Sequence, residues 1–449
     1  MFEKMGVINK KIVRGCTGGF MRYRLKIELN GTLLLQMIIA WCSVFFIVKT
    51  NTYAETGKLT IISVVLWVLF MYLLRSKHAI QRVLTNGFSL AFILFIIYIF
   101  CFSFLEYGVS TTINAILSHF TYFSGIFIVV LYVNYIKPKN YAYTLGGIVC
   151  IWLLADLQLL VLCKTIPNIG RLIVSHGADV TISSSIGSPY ALAESSCFIV
   201  IAIVRLTTSC RYNMKKITKL CMMAIAILMG LTVYETQSTI TTLIMLLGVV
   251  GSVFLNILEG KKGNSLRKRI IIICIIIIFI VLFVVSKEYI GSVLIQSFSS
   301  GDSVFAIRLY QVGQALAHNT LSSDFSERIA LMLTSFKTFL DNPIVGNMYT
   351  GGVVTGEHCG LFDVFSNYGL LGGVPYLLVF VTFFKYLKRK LNNYDFLLWF
   401  PLFVMSLLNP IVLYQTYFAV LFIVPSLYYL AGRSIVDNGI MCKKKNKIS

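Results

Sequence analysis

Charge is what this 449-residue chain has least of. Asp, Glu, Lys and Arg make up 13% of it, where soluble domains carry about 25%. The hydrophobic set supplies 57% of residues and the mean hydropathy is +0.82. That leaves too little polar surface to cover a folded core in water, which excludes an ordinary cytosolic enzyme. Acids are scarcer than bases, 18 against 39 Lys and Arg, and the net charge is +21. A compact basic patch would point to nucleic acid, but these cations are spread over many short segments, so no nucleic-acid partner is expected. Metal-ligand spacings such as C-x-x-C do not occur. Most of the 11 cysteines lie inside apolar runs, where a thiol behaves as a small apolar side chain. No internal repeat is visible, which disfavours the repeat-built transporters.

Long apolar runs are present instead. Hydrocarbon about 30 Å thick requires roughly 20 apolar residues in a helix. By that measure there are twelve expected spans, near 29–48, 59–74, 88–105, 113–135, 141–163, 190–205, 219–234, 239–258, 270–286, 361–384, 395–410 and 412–431. If residues 1–28 face the cytoplasm, 31 of the 39 Lys and Arg fall on that side and 8 on the other. This is the asymmetry of the positive-inside rule. The expectation is an all-α polytopic membrane protein with about twelve transmembrane helices and both termini cytoplasmic. Its parts are a basic N-terminus (1–28), nine spans (29–286, with an outer loop at 164–189), a large extracytoplasmic loop (287–360), three closing spans (361–431) and a basic tail (432–449). The first apolar run is too long for the core of a cleavable signal and lacks a small-residue cleavage site, so it reads as a start-transfer helix that stays.

The large loop carries two amphipathic patterns. One covers about 303–317, with Val304, Phe305, Leu309, Val312 and Leu316 at helical intervals. The other covers about 325–340, with Ile329, Leu333, Phe336, Phe339 and Leu340. Asp324 and Glu327 form a capping pattern at the start of the second, and Asp341-Asn342-Pro343 ends it, because proline cannot continue the ladder. These helices are expected at the outer surface, with apolar faces against the bundle or lipid.

Ionisable groups at membrane depth are expensive and therefore candidates for function. Asp156 sits mid-span beside Gln158 and is as well explained by hydrogen bonding across helices. Glu194 follows Ser188-Pro189-Tyr190 at the outer end of a span, Glu235 marks an outer boundary, and Asp363 lies two or three residues into the tenth span. Glu194 fits a polar contact to substrate within the membrane or a helix cap equally. Among the eight outward cations the arginines are Arg171, Arg308 and Arg328. Their planar forks of donors suit phosphate oxygens, although Arg308 could instead pair with Asp302, and Arg328 with Asp324 or Glu327. His358, in Thr355-Gly356-Glu357-His358-Cys359-Gly360, is the candidate base, with Glu357 and Asp363 close in sequence. Cys163 and Cys359 both fall on the outer side, which leaves pairing between them open.

The run from Arg328 to Gly373, RIALMLTSFKTFLDNPIVGNMYTGGVVTGEHCGLFDVFSNYGLLGG, resembles the O-antigen polymerase and ligase superfamily, the Wzy-type and WaaL-type membrane glycosyltransferases. The resemblance rests on an Arg opening a helix, the turn Asn342-Pro343-Ile344-Val345-Gly346, a His before the next span, and Tyr368-Gly369-Leu370-Leu371-Gly372 beyond it. The chain departs from the family at Asn347, where a second glycine is usual. It departs again at Gln237-Ser238-Thr239, where a Ser-Arg pair is often found. The resemblance implies metal-independent glycosyl transfer at the outer face of a bacterial cytoplasmic membrane, without a cofactor. The donor and acceptor would be oligosaccharides on a polyprenyl diphosphate such as undecaprenyl diphosphate. Arg328, Arg308 and Arg171 would bind the diphosphate, and His358, or else Asp363 or Glu357, would take a proton from the acceptor hydroxyl. The expected partners are membrane lipid, a chain-length regulator and a flippase. The leading expectation is a polymerase of lipid-linked repeat units into surface polysaccharide. Alternatives are a ligase moving finished glycan to an outer acceptor, or a non-enzymatic flippase or transporter.

Overall fold

The computed structural model describes residues 31–49, 54–73, 77–166, 189–209, 212, 214–259, 285–299, 304–318, 323–347, 359–391, 399–409 and 414–432. Among these the protein is all-helical, with no strand. The helices are α1 (Gly31–Lys49), α2 (Ala54–Leu73), α3 (Lys77–Leu84), α4 (Gly87–Leu105) and α5 (Gly108–Tyr135). Then follow α6 (Pro138–Thr165), α7 (Pro189–Thr208), α8 (Lys216–Glu235) and α9 (Thr239–Glu259). Residues 285–298 form α10, and α11 (Val304–His318), α12 (Ser323–Asp341), α13 (Gly360–Lys390) and α14 (Trp399–Leu408) succeed it. The last, α15 (Tyr414–Phe418), continues through a π-turn at Ala419–Ile423 to Gly432. Among the described residues eight helices are long and apolar enough to cross a membrane, with two shorter apolar stretches at Lys58–Leu73 and Thr239–Leu255. The protein is therefore membrane-embedded. Most of the expected ninth span, 270–284, lies outside the described residues. The two amphipathic helices expected in the large loop are α11 and α12.

The bundle is organised around α7, which is buried along almost its whole length. Its small residues, Ala191, Ala193, Ser195, Ser196 and Ala202, let neighbouring backbones approach closely, the usual basis of helix association in lipid. A second packing centre is aromatic. Trp67 on α2 meets Phe418 and Phe422 on the last helix, with ring centroids 6.0 and 5.6 Å apart, and Phe418 stacks on Trp152 of α6.

Two helical stretches are interrupted by glycine in the left-handed half of φ. At Gly108 (φ 75°, ψ −177°) the chain reverses between α4 and α5. Phe88 then meets Phe127 and Phe92 meets Phe123, an antiparallel pairing, with His119 against Phe95. Gly369 (φ 54°, ψ −159°) breaks α13 in nearly the same conformation. Here too the arm before the break turns back. A methyl group on Gly373 would lie 2.7 Å from Phe365 Cδ1, although residues eight apart in a straight helix are about 12 Å apart along the axis. Gly360 N–H donates to Asn409 O, Asn409 and Thr416 both donate to Glu194, and Tyr417 meets Tyr376 through their hydroxyls. The straight, membrane-length part of α13 is therefore 370–390, and 360–368 turns back from it at Gly369. α12 lies along this folded arm, with Phe336 on Phe362 and Phe339 on Phe365, each pair of ring centroids 5.7 Å apart.

Candidate functional site

The turn after α12 seats in the break of α13. Breaking the helix at Gly369 deprives Leu370 and Leu371 of their acceptors one turn earlier. Their N–H groups donate instead to Pro343 O at 2.8 Å and Ile344 O at 3.0 Å. In return, Asn347 N–H donates to Ser366 O at 2.8 Å. Tyr98 of α4 donates its hydroxyl to Val345 O at 2.6 Å, and Gly346 N–H closes the turn on Asn342 O at 2.8 Å. Irregular backbone at membrane depth is tolerated only where its polar groups find protein partners, and the turn and the break supply each other's. The approach leaves no room for a side chain: a methyl on Gly369 would lie 2.4 Å from Ile344 O. Asn347, where the resembled family has a second glycine, accepts a hydrogen bond from the Asn342 side-chain amide through Oδ1.

Two carboxylates are linked to the start of α13. Asp363, in the first turn of α13, is buried. Its Oδ1 accepts from Ser335 Oγ of α12 at 2.6 Å and its Oδ2 from Cys359 N–H at 3.2 Å. One oxygen thus caps the start of its own helix, and the other ties that helix to α12. A hydrogen bond to a charged group is worth roughly 1.5–3 kcal/mol. Glu194, buried near the start of α7, is held by Asn409 Nδ2 at 3.0 Å and Thr416 Oγ1 at 3.3 Å. Asn409 connects the two carboxylates, because its carbonyl accepts from Gly360 N–H at 3.1 Å while its amide holds Glu194. Cys359, a free buried thiol pushed above the usual cysteine range by burial, donates Sγ–H to Ser406 O at 3.7 Å. Cys163 is also a free thiol.

Of the residues singled out in the sequence, Asp363 and Glu194 are brought into one patch through Asn409. Arg328 belongs to α12, two turns before Ser335. Arg308 is half-buried on α11, and its guanidinium donates to Gln311 Oε1 at 3.1 Å, a partner on its own helix. His358, Glu357 and Arg171 lie outside the described residues, as does Asp302, the neighbour expected for Arg308. Glu235 forms an ion pair with Lys164 at 2.5 Å. Asp156 is fully buried and separate from the patch. It accepts from Ser196 Oγ at 2.9 Å, and Trp152 Nε1 donates to the same hydroxyl at 3.3 Å. Hydrogen bonding across helices accounts for its presence.

Several members of the patch escaped sequence reading. Ser335, Asn409, Thr416 and Tyr98 are single polar groups in apolar stretches, and only the tertiary fold gives them partners. The signal that could have found Asn409 is the Asn409-Pro410 junction between two apolar runs. His119, an ordinary residue of an apolar run in the sequence, meets Tyr368 Oη through its Nε2 at 3.0 Å, one residue from the break. Tyr368 itself is packed among Phe95, Tyr98 and His119. Among the described residues no group of three or more His, Cys, Asp and Glu side chains is placed to hold a metal ion. No family model matches this chain, and no curated protein matches it either.

Proposed function

We propose that this protein is a polysaccharide polymerase of the Wzy type. In this reading it joins oligosaccharide repeat units carried on a polyprenyl diphosphate, at the outer face of a bacterial cytoplasmic membrane. The topology that goes with it has twelve spans and both termini in the cytoplasm. The observation that carries the reading is the fastening of α12 to the start of α13. Ser335 binds Asp363 across the two helices, and the Asn342–Gly346 turn interlocks with the break at Gly369. Arg328 lies seven residues before Ser335, and His358 directly precedes Cys359, which caps α13. The residues proposed for leaving group and proton are thus attached to two elements held rigidly to each other.

Attack of an acceptor hydroxyl on the anomeric carbon of the donor breaks the bond to the lipid diphosphate, and negative charge builds on the departing phosphate oxygens. Arg328, assisted by Arg308 and Arg171, stabilises that charge, as preorganised donors do where charge develops. His358 accepts the proton of the attacking hydroxyl, with Asp363 and Glu357 as acidic neighbours. Positive charge develops on the sugar ring in such transfers, and Glu194, held by two neutral donors, suits contact with it. The gathering of the polar candidates in the sequence at span ends and in one outer loop also supports an enzyme over a transporter, which would concentrate them near the midplane.

The test is reconstitution with a defined lipid-linked repeat unit, the product being read by gel. Arg328→Ala and His358→Ala should each lower polymer formation by roughly 100-fold or more while the protein inserts at normal level. Unchanged polymer with either variant would refute these roles. Loss of a polymerase leaves single-repeat product, whereas loss of a ligase leaves long chains on the carrier lipid.

A further inference from the structure

α12 has three faces. At about 100° per residue, Ser335 and Thr338, both buried, mark the face against the folded arm of α13. Ile329, Leu333, Phe336 and Leu340 fall within an arc of about 60° on a second face, and all are exposed, from 36% at Ile329 to 56% at Leu340. Thr334, Lys337 and Asp341, also exposed, form a third, polar flank centred about 100° further round.

The apolar face continues into a surface that already belongs to the membrane. Beyond the end of α12 the stripe extends to Ile344, 61% exposed, whose carbonyl accepts from Leu371 N–H. Leu371 opens the outward row Leu370, Leu371, Val374, Leu378 and Val381 on the spanning part of α13, exposed at 41–51%. Residues 370–390 supply roughly the 30 Å needed to cross hydrocarbon, so the junction at Ile344 and Leu371 stands at one edge of it. α12 ends at that edge and lies along the arm that turns back from it.

We propose that α12 lies in the interface of this membrane leaflet. Its Ile329–Ile344 stripe is immersed in acyl chains, and its Thr334, Lys337 and Asp341 flank is turned to headgroups and water. The occupant of the apolar face is lipid hydrocarbon, because the face is continuous with the lipid-facing row of α13. The polar flank suits the boundary, since charged groups there keep their hydration while their stems cover apolar surface. This inference is independent of the glycosyl-transfer reading.

The full-length protein is reconstituted in phosphatidylethanolamine–phosphatidylglycerol vesicles doped with a lipid carrying a diazirine in its acyl chain. Peptides are mapped after illumination, and the peptide containing 370–381 serves as the positive reference. Adducts should appear on 329–344 at a yield comparable to the reference. Labelling of the reference alone would overturn the proposal, whether the stripe is then bare or covered by a second copy. Two exposed-site variants supply a second measurement against the background of the eleven native cysteines. Thr334→Cys should react with a membrane-impermeant maleimide roughly tenfold faster than Leu340→Cys, as expected across a lipid boundary. Equal rates, or the reverse order, would also overturn it.

Discussion

Gly108 and Gly369 adopt nearly the same backbone conformation, and both end a helix by folding it back, but their surroundings differ completely. A methyl group on Gly108 would meet nothing within 4 Å, whereas one on Gly369 would strike the backbone at Ile344 O and Gly346 N. At Gly108 the turn is an open hairpin tip, and just below it Thr112 Oγ1 donates across the two arms to Ser103 Oγ at 3.2 Å. At Gly369 the same φ and ψ create a vacancy in the hydrogen-bond ladder that a second segment fills. One glycine only reverses the chain. The other reverses it and makes a joint.

The largest expected effect is that of Gly369→Ala. It adds a steric conflict with backbone to an unfavourable φ, and should cost upwards of about 4 kcal/mol, the range of exceptional single substitutions. Membrane level and unfolding in detergent would register it, and a loss no greater than that at Gly108 would mean the joint does not exist. Gly108→Ala carries the conformational penalty alone and should cost about 1–3 kcal/mol by the same unfolding measurement. The difference between the two isolates the close approach. Tyr98→Phe removes one hydrogen bond to Val345 O and should cost about 1 kcal/mol, with polymer formation in the reconstituted assay falling more than protein level does. Thr334→Ala, on the exposed flank of α12, should stay within about 0.5 kcal/mol. A larger change there would place that flank against protein.

The eight membrane-length helices among the described residues were legible because a helix in hydrocarbon must satisfy its backbone internally and present apolar side chains over a fixed length. Residues 88–105 and 113–135 could be read as two arms because each run alone reaches that length. The break at Gly369 could not be read the same way. Residues 361–384 read as one span, and Tyr368-Gly369-Leu370-Leu371-Gly372 was visible only as part of a family resemblance. What turns this glycine into a break is a turn 23 residues earlier, and local periodicity contains no such information. Asp363 and Glu194 were recognisable as carboxylates out of place in a membrane. Their partners were not: Asn409 is 215 residues from Glu194, and Ser335 reads as an ordinary polar residue in a helical pattern.

The joint between the Asn342–Asn347 segment and α13 is built mostly of main-chain atoms, and this bears on how the protein can change over generations. Substitutions at Ile344 or Val345 leave every carbonyl where it was, so the joint places no demand on those side chains beyond what lipid requires of Ile344. Adding or removing one residue anywhere from Pro343 to Asn347 would put the two ends of the segment out of register with α13 and misalign at least one of the three exchanged bonds. Such a segment conserves its length more strictly than its letters, apart from the two glycines where the backbones touch. Relatives of this protein could therefore share the joint while sharing few of the residues around it.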